Sequence, residues 1–201
     1  MRDDFGQILK QYPIIASIKD DNGLNMACVF NVRIVFILYG NILNLPSIVK
    51  KTKSCGKIAF VHIDLIDGLE VNEASTRFIK EFTRADGIIT TKSNVIKAAK
   101  EVGLLTIQRF FLIDSMSLEK AQRHMEFSYA DAFEILPGVI PKMIHKISSF
   151  SNVPIIAGGL IVDKNDLYTA LDSGAKQFQQ LILVCGICSR EIEKATNLLK
   201  L

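Results

Sequence analysis

The feature that most constrains the fold of this sequence is a regular recurrence of short apolar runs rich in β-branched residues. The runs recur roughly every 20–28 residues, and segments with helical patterns separate them. Most runs are almost continuously apolar, which is typical of strands buried on both faces of a parallel sheet. The predicted strands are IIASIK (14–19), RIVFILYG (33–40), KIAFVHID (57–64), DGIITTK (86–92), LLTIQRFF (104–111), DAFEILPG (131–138), VPIIAGGL (153–160) and one run within 176–184.

The segments between these runs carry helix signals, such as Ser or Asp at the start and Gly at the end. The helices predicted from these signals span 72–84, 93–103, 117–126, 141–150, 163–175 and 189–200. Eight strands, each followed by a helix, predict an α/β fold with a TIM-like (β/α)8 barrel in a single domain, residues 1–201. The alternative is a doubly wound open sheet with fewer strands.

Composition excludes some classes of protein and leaves others open. The formal net charge of +3 permits nucleic-acid binding without requiring it. No apolar run reaches the roughly 18 residues of a membrane span, and the amino terminus lacks the pattern of a secretory signal. The four cysteines, Cys28, Cys55, Cys185 and Cys188, do not show the spacing of a disulfide framework. We therefore expect a cytoplasmic, reduced protein.

Polar residues collect at the carboxyl ends of the predicted strands, where parallel barrels place their functional sites. Lys19, Lys92 and Arg109 would converge there with Asp64 and Glu134, which predicts an anion-binding mouth. The alternative is that these side chains are solvated rim charges, or that Asp64 and Glu134 form a general acid–base pair. We interpret the lone strand histidine, His62, as a core residue.

The loop after the seventh predicted strand, AGGLI (157–161), is a candidate phosphate site. Barrels frequently bind phosphate through backbone N–H groups of the loops after strands 7 and 8, and Gly158 and Gly159 would allow an anion to approach closely. An ordinary Gly-Gly turn is the alternative. The sequence predicts no catalytic residue, no metal site and no cofactor, because the three histidines lack ligand spacing and no nucleotide-binding glycine motif is present.

Five motifs together resemble one known family. They are FVHIDLIDGL (60–69), ADGIITTKSN (85–94), GLLTIQRFFLIDS (103–115), EILPGVIPK (134–142) and PIIAGGLI (154–161), and they resemble the glycerol-uptake operon antiterminator proteins of Gram-positive bacteria. The resemblance implies a TIM-like, non-enzymatic regulator that responds to glycerol 3-phosphate and binds the leader of glycerol-catabolic mRNA. It leaves open whether the protein is a homo-oligomer. A phosphate-ester enzyme on the same barrel is the alternative function.

The resemblance implies a role for each candidate residue but does not locate the RNA contacts. The phosphate of glycerol 3-phosphate would lie near Gly158 and Gly159. Asp64 and Glu134 would accept bonds from its hydroxyls, and Lys19, Lys92 or Arg109 would balance its charge. For RNA, the candidates are the aromatic pair in IQRFF and the basic segments 50–57 and 92–100. For both features the structural explanation is preferred: the phenylalanines pack in the core or helix layer, and the basic segments are solvated helix faces.

The resemblance ends abruptly after LDSGAK (171–176). Family members continue with a strand and a loop rich in Ser, Thr and Asn, whereas this chain continues QFQQLILVCGICS. Residues 175–188 can be translated back into a DNA sequence that uses one allowed codon for each residue. When this DNA is read in the shifted frame that starts at the third base of the Lys176 codon, it encodes AISTTNTSLWDL, which is close to the family pattern. We therefore hypothesise a one-base loss near Lys176, which makes 176–188 a wrong-frame segment. A strand could still form from FQQLILV, but the phosphate loop that follows it would be lost.

Overall fold

The computed structural model describes residues 2–161, 165–166, 169–170 and 181–186. The strands are β1 Ile14–Ile18, β2 Ile34–Ile37, β3 Ile58–His62, β4 Gly87–Thr90, β5 Leu105–Phe111, β6 Ala132–Leu136, β7 Ile155–Gly158 and β8 Leu181–Gly186. The α-helices are α1 Arg2–Gln11, α2 Asp21–Val29, α3 Leu45–Ser54, α4 Glu73–Phe78, α5 Ser93–Glu101, α6 Ser115–Glu126 and α7 Pro141–Ser148. A 3-10 turn (Ile63–Leu65) follows β3, and a π-helical turn (Ile79–Thr83) extends α4. No helix in the described part is long and apolar enough to cross a membrane.

The strands pair in parallel, and neighbours in the sheet are neighbours in the sequence. β8 pairs with both β7 and β1, with Gly186 opposite Ser17, so the sheet curves back on itself. This arrangement confirms the predicted α/β TIM-like class. The helices predicted at 163–175 and 189–200 lie largely or wholly outside the described residues, so the full (β/α)8 repeat stays a prediction.

Alternation along the strands divides the buried residues into two clusters, because successive side chains of a strand point to opposite faces. The larger cluster lies between the strands and the helices. The smaller one fills the space enclosed by the strands, where its members are Phe5, Leu9, Ile15, Ile34, Phe36, Ile58, Phe60, Ile89, Leu105, Ile107, Ala132 and Ile156. The burial of both faces explains why most strands are continuous apolar runs.

Helix α1 precedes the first strand and was not predicted from the sequence. Its Phe5 and Leu9 are four residues apart, so they share one face of the helix, and both are buried in the interior cluster. The ring of Phe5 lies 5.5 Å from the ring of Phe60, measured between centroids. Because α1 leads directly into β1, it covers the interior at the end where the strands begin, and leaves the opposite end for a ligand.

The structure corrects the expectation that all four cysteines are reduced. Cys28 in α2 and Cys55 just after α3 form a disulfide, with their Cα atoms 5.3 Å apart. Cα atoms at this separation can be bridged without moving the backbone. The physical reason is the repeat itself: α2 and α3 follow neighbouring strands, so positions 27 residues apart in the sequence lie side by side. Cys185 lies in β8, and Cys188 is outside the described residues.

Candidate ligand-binding site at the carboxyl ends of the strands

A polar layer lies inside the ring of strands, next to the apolar interior cluster and towards the carboxyl ends. It consists of Ser17 on β1, His62 on β3, Arg109 on β5 and Glu134 on β6. Each has the strand parity of the interior cluster, and their exposed fractions are 6%, 3%, 8% and 1%. Four buried polar side chains in one layer are unusual for a core, because each must lose its contact with water.

Arg109 and Glu134 form an ion pair within this layer. The Nε and Nη2 atoms of Arg109 donate to the two carboxylate oxygens of Glu134 at 2.6 and 3.2 Å. The two residues lie opposite each other in the β5–β6 register. Burial raises the pKa of Glu134 above its usual value, and the guanidinium of Arg109 offsets part of that rise. The predicted site residues therefore bind each other, and part of the charge of Arg109 is balanced within the protein.

Ser17 and His62 carry the polar atoms of this layer that lack a partner. The Oγ of Ser17 and the Nδ1 of His62 are buried and make no hydrogen bond among the described residues. Burial and, to a smaller extent, the positive charge of Arg109 lower the pKa of His62 to about 4, against the opposing effect of the charge of Asp64. The imidazole is therefore neutral at pH 7. An unsatisfied buried polar atom costs about 1–3 kcal/mol, so both atoms are suited to a polar ligand.

Asp64 holds the segment after β3 against the end of β4. Its Oδ1 accepts from the hydroxyl of Thr90 at 2.6 Å. Its Oδ2 accepts from the backbone N–H of Thr91 at 2.8 Å and from the hydroxyl of Thr91 at 2.9 Å. Three hydrogen bonds fix this carboxylate at the mouth and occupy most of its capacity to accept others.

The two lysines of the predicted site lie at the exposed rim. Lys19 follows the last residue of β1, and Lys92 lies between β4 and α5. The Nζ of Lys92 donates to the carbonyl oxygen of Val71 at 3.3 Å. Both ammonium groups are thus separated from the buried layer, in positions where they can attract an anion to the mouth.

Gly158 and Gly159 end β7 and begin the loop after it. A Cβ atom at Gly158 would lie 2.7 Å from the Oε1 of Glu134, so only glycine leaves room for that carboxylate. Gly159 has a φ of +74°, a conformation that favours glycine. Gly138 N–H donates to the carbonyl of Gly158 at 2.6 Å, which joins the loops after β6 and β7. The two glycines therefore shape the mouth beside the polar layer.

The structure brings the predicted residues to one end of the sheet, but it separates them into a buried ion pair, a fixed carboxylate, two rim lysines and a glycine loop. Their roles in binding stay predictions. Sequence reasoning missed Ser17 and assigned His62 to the core. The available signal was their position in the strand: each lies two residues after an interior apolar residue, Ile15 or Phe60, and therefore faces the same side of the sheet. Among the described residues, no group of three His, Cys, Asp or Glu side chains could hold a metal ion.

Comparison with known proteins identifies the family. Residues 14–179 match the family model described as glycerol-3-phosphate responsive antiterminator. The chain belongs to this family. The match covers most of the chain, in agreement with the resemblance carried by the five motifs, and this family is one of regulatory proteins.

The relatives found include one curated protein and two solved structures. The uncharacterized protein YgcP of Escherichia coli K12 is 40% identical over 167 residues, which are 83% of this chain and 87% of YgcP. A glycerol uptake operon antiterminator regulatory protein from Listeria monocytogenes has a TM-score of 0.79 at 29% identity, covering 85% of this chain and 90% of the other. An antiterminator-related protein from Thermotoga maritima has a TM-score of 0.74 at 31% identity, covering 89% and 96%.

The buried, neutral His62 predicts a pH-dependent stability. Its pKa in the folded protein is about 4, below the ordinary 6.5, so the unfolded state binds more protons between these values. This contribution is fully present above pH 6.5 and is lost as the pH falls towards 4, by up to about 3 kcal/mol. Urea unfolding should show that the free energy of unfolding of His62→Gln falls correspondingly less between pH 6.5 and pH 4 than that of the unmodified protein. The exposed His124→Gln is the control, and equal slopes for His62→Gln and the unmodified protein would contradict the assignment.

Proposed function

We propose that this protein is a cytoplasmic, non-enzymatic antiterminator that binds glycerol 3-phosphate and the leader mRNA of glycerol-utilisation genes. The observation that carries the proposal is a buried polar layer with two unpartnered atoms, at the ligand end of a TIM-like fold, in a chain of this family. The proposal includes a full (β/α)8 barrel. It requires no cofactor and no membrane, and it is compatible with a monomer or a homo-oligomer.

In the proposed complex, the phosphate lies against the backbone of Gly158 and Gly159, and the glycerol moiety enters the mouth. Lys19 and Lys92 balance the phosphate charge from the rim. The unpartnered Oγ of Ser17 and Nδ1 of His62 form hydrogen bonds with the glycerol hydroxyls, in addition to the contacts predicted from the sequence. The guanidinium of Arg109, in the buried polar layer, attracts the negatively charged ligand electrostatically.

The carboxylates of Glu134 and Asp64 have fewer free hydrogen-bond acceptor positions than the sequence suggested, because both accept hydrogen bonds from other residues of the protein. Glu134 already accepts two bonds and Asp64 three. A carboxylate has about four acceptor positions, so two remain on Glu134 and one on Asp64. In the proposed complex these positions accept hydrogen bonds from the ligand hydroxyls.

Gly159→Asp and Gly159→Asn form a matched pair that tests the phosphate position. Asn and Asp have the same shape and both tolerate a positive φ, so the two variants differ mainly in charge. We expect Asp to weaken glycerol 3-phosphate binding about 100-fold or more relative to Asn, because a carboxylate about 4 Å from a phosphate is strongly repulsive. Isothermal titration calorimetry measures both affinities, and thermal unfolding confirms that both variants fold. Equal affinities would contradict the phosphate assignment.

Leader-RNA binding with and without glycerol 3-phosphate tests the regulatory function. We expect the ligand to change RNA affinity by about 5- to 150-fold, and RNA to change ligand affinity by the same factor, because coupling between two binding sites is reciprocal. Gel-shift and calorimetric titrations measure the two factors, with glycerol and inorganic phosphate as control ligands. An RNA affinity that does not respond to the ligand, or turnover of glycerol 3-phosphate, would count against a regulator and favour the enzyme.

The atypical segment 176–188 predicts that this chain binds its ligand more weakly than a repaired chain. Replacing residues 177–188 with AISTTNTSLWDL adds the hydroxyl side chains of the family loop. If two or three charge-assisted hydrogen bonds are regained, calorimetry should show a gain of about 2–4 kcal/mol in binding free energy. A gene whose bases do not contain this second frame, or a repaired chain without any gain, would end the frame-loss hypothesis.

A further inference from the structure

A groove of about 700 Å³ lies on the outside of the fold, between α5, α6 and the segment after α6. This volume is within the range of pockets that hold small molecules or a few residues of a polymer. The groove is separate from the polar layer, because its walls belong to the helix layer. Its lining residues are Ser93, Asn94, Lys97, Lys120, Arg123, His124, Phe127, Ser128 and Tyr129.

The charge of the groove is of one sign. Lys97, Lys120 and Arg123 line it, and no Asp or Glu is among its lining residues. All three cations are exposed, and none forms an ion pair within the described residues. By contrast, Lys100 on the same helix as Lys97 pairs with Asp131. The groove therefore presents uncompensated positive charge, which suits a polyanion.

Two large aromatic side chains lie beside these cations. Phe127 is 77% exposed at the end of α6, and Tyr129 is 60% exposed two residues later. Exposed aromatic rings next to basic side chains are the combination with which proteins bind single-stranded nucleic acids, since bases stack on the rings while cations contact the phosphates. A small acidic metabolite would use the cations but would leave the rings without a role.

The wall from α6 is a continuous stripe. Lys120, Arg123 and Phe127 follow the i, i+3, i+7 spacing that places residues on one helix face. Ser93 and Lys97 are four apart and share a face of α5. The two helices therefore present cations on both sides of the groove, with the aromatic residues at one end.

Hydrogen bonds between buried and exposed side chains fix the walls in place. The Nε2 of Gln108, which is fully buried on β5, donates to the Oγ of Ser93 at 2.8 Å. The hydroxyl of Ser128 donates to the Oε1 of Gln108 at 2.7 Å. Ser93 Oγ also lies 3.2 Å from the Nδ1 of His124, within hydrogen-bond distance. One glutamine thus connects the start of α5 to the segment after α6, which pre-organises the groove for binding.

We propose that this groove binds a single-stranded segment of RNA, with Lys97, Lys120 and Arg123 on its phosphates and Phe127 and Tyr129 stacked on its bases. The inference rests on the proposed function in naming RNA as the polyanion. It deepens that function by locating the RNA contacts on the α5–α6 face, outside the ring of strands that encloses the polar layer.

Two classes of variant separate phosphate contacts from stacking. Lys120→Gln and Arg123→Gln should each lower the slope of log affinity against log salt by about 0.7, the value for one phosphate contact on a single strand. Phe127→Ala should weaken binding about 5- to 100-fold and leave that slope unchanged. The probes are the leader transcript of the glycerol-utilisation genes and a fluorescent 12-nucleotide oligouridine, measured by anisotropy between 50 and 200 mM KCl.

The controls are Lys142→Gln on α7 and Phe82→Ala, which are an exposed cation and an exposed aromatic outside the groove. Neither should change RNA binding, and Phe127→Ala should retain its affinity for glycerol 3-phosphate. If the unmodified protein binds the leader and the groove variants bind it equally well, the groove is overturned while the proposed function stands. If the unmodified protein binds no RNA, both the groove assignment and the proposed function fail. Preferential binding of duplex RNA or of an acidic peptide would overturn the groove assignment.

Discussion

The parallel register of the strands is the constraint on which the rest of the structure depends. It decides which side chains face the enclosed space, since successive residues of a strand point to opposite faces. Arg109 meets Glu134 only because the two lie opposite each other in β5 and β6. A slip of one residue in β5 would turn Arg109 into the helix layer and leave the buried carboxylate of Glu134 without its partner. The apolar residues at the start of the strands thus fix the geometry of the polar residues at their ends.

Strand β5 links the interior to the outer groove. Arg109 faces inward to its ion pair, whereas the preceding residue, Gln108, faces outward to Ser93 and Ser128. Both side chains are buried and both are held by hydrogen bonds, so neither can move freely without the strand. The two proposed binding sites therefore share one backbone segment. If both proposals hold, this backbone segment would connect a metabolite bound in the mouth with RNA bound on the helix face.

The sequence predicted the fold better than the site, for physical reasons. Strands that are buried on both faces appear in the sequence as continuous apolar runs. The runs at 14–19 and 104–111 therefore match β1 and β5 closely. Helix α1 was missed because the short segment RDDFGQILKQ buries only Phe5 and Leu9 among its described side chains. The partners of Arg109 and of Cys28 depend on register and on the packing of neighbouring units. Such relations appear only when the repeat is folded in three dimensions.

The segment 177–188 shows why formation of a strand says little about the function of a loop. A strand at this position requires apolar residues, which LILV supplies, and β8 pairs on both sides. The family loop that the resemblance implies offers hydroxyl groups as well as backbone N–H donors, whereas QFQQLILVCGIC contains neither Ser nor Thr. The last residue of β8, Gly186, lies opposite Ser17 of the polar layer. A change of reading frame that keeps hydrophobicity but removes hydroxyls would therefore preserve the sheet while weakening the site.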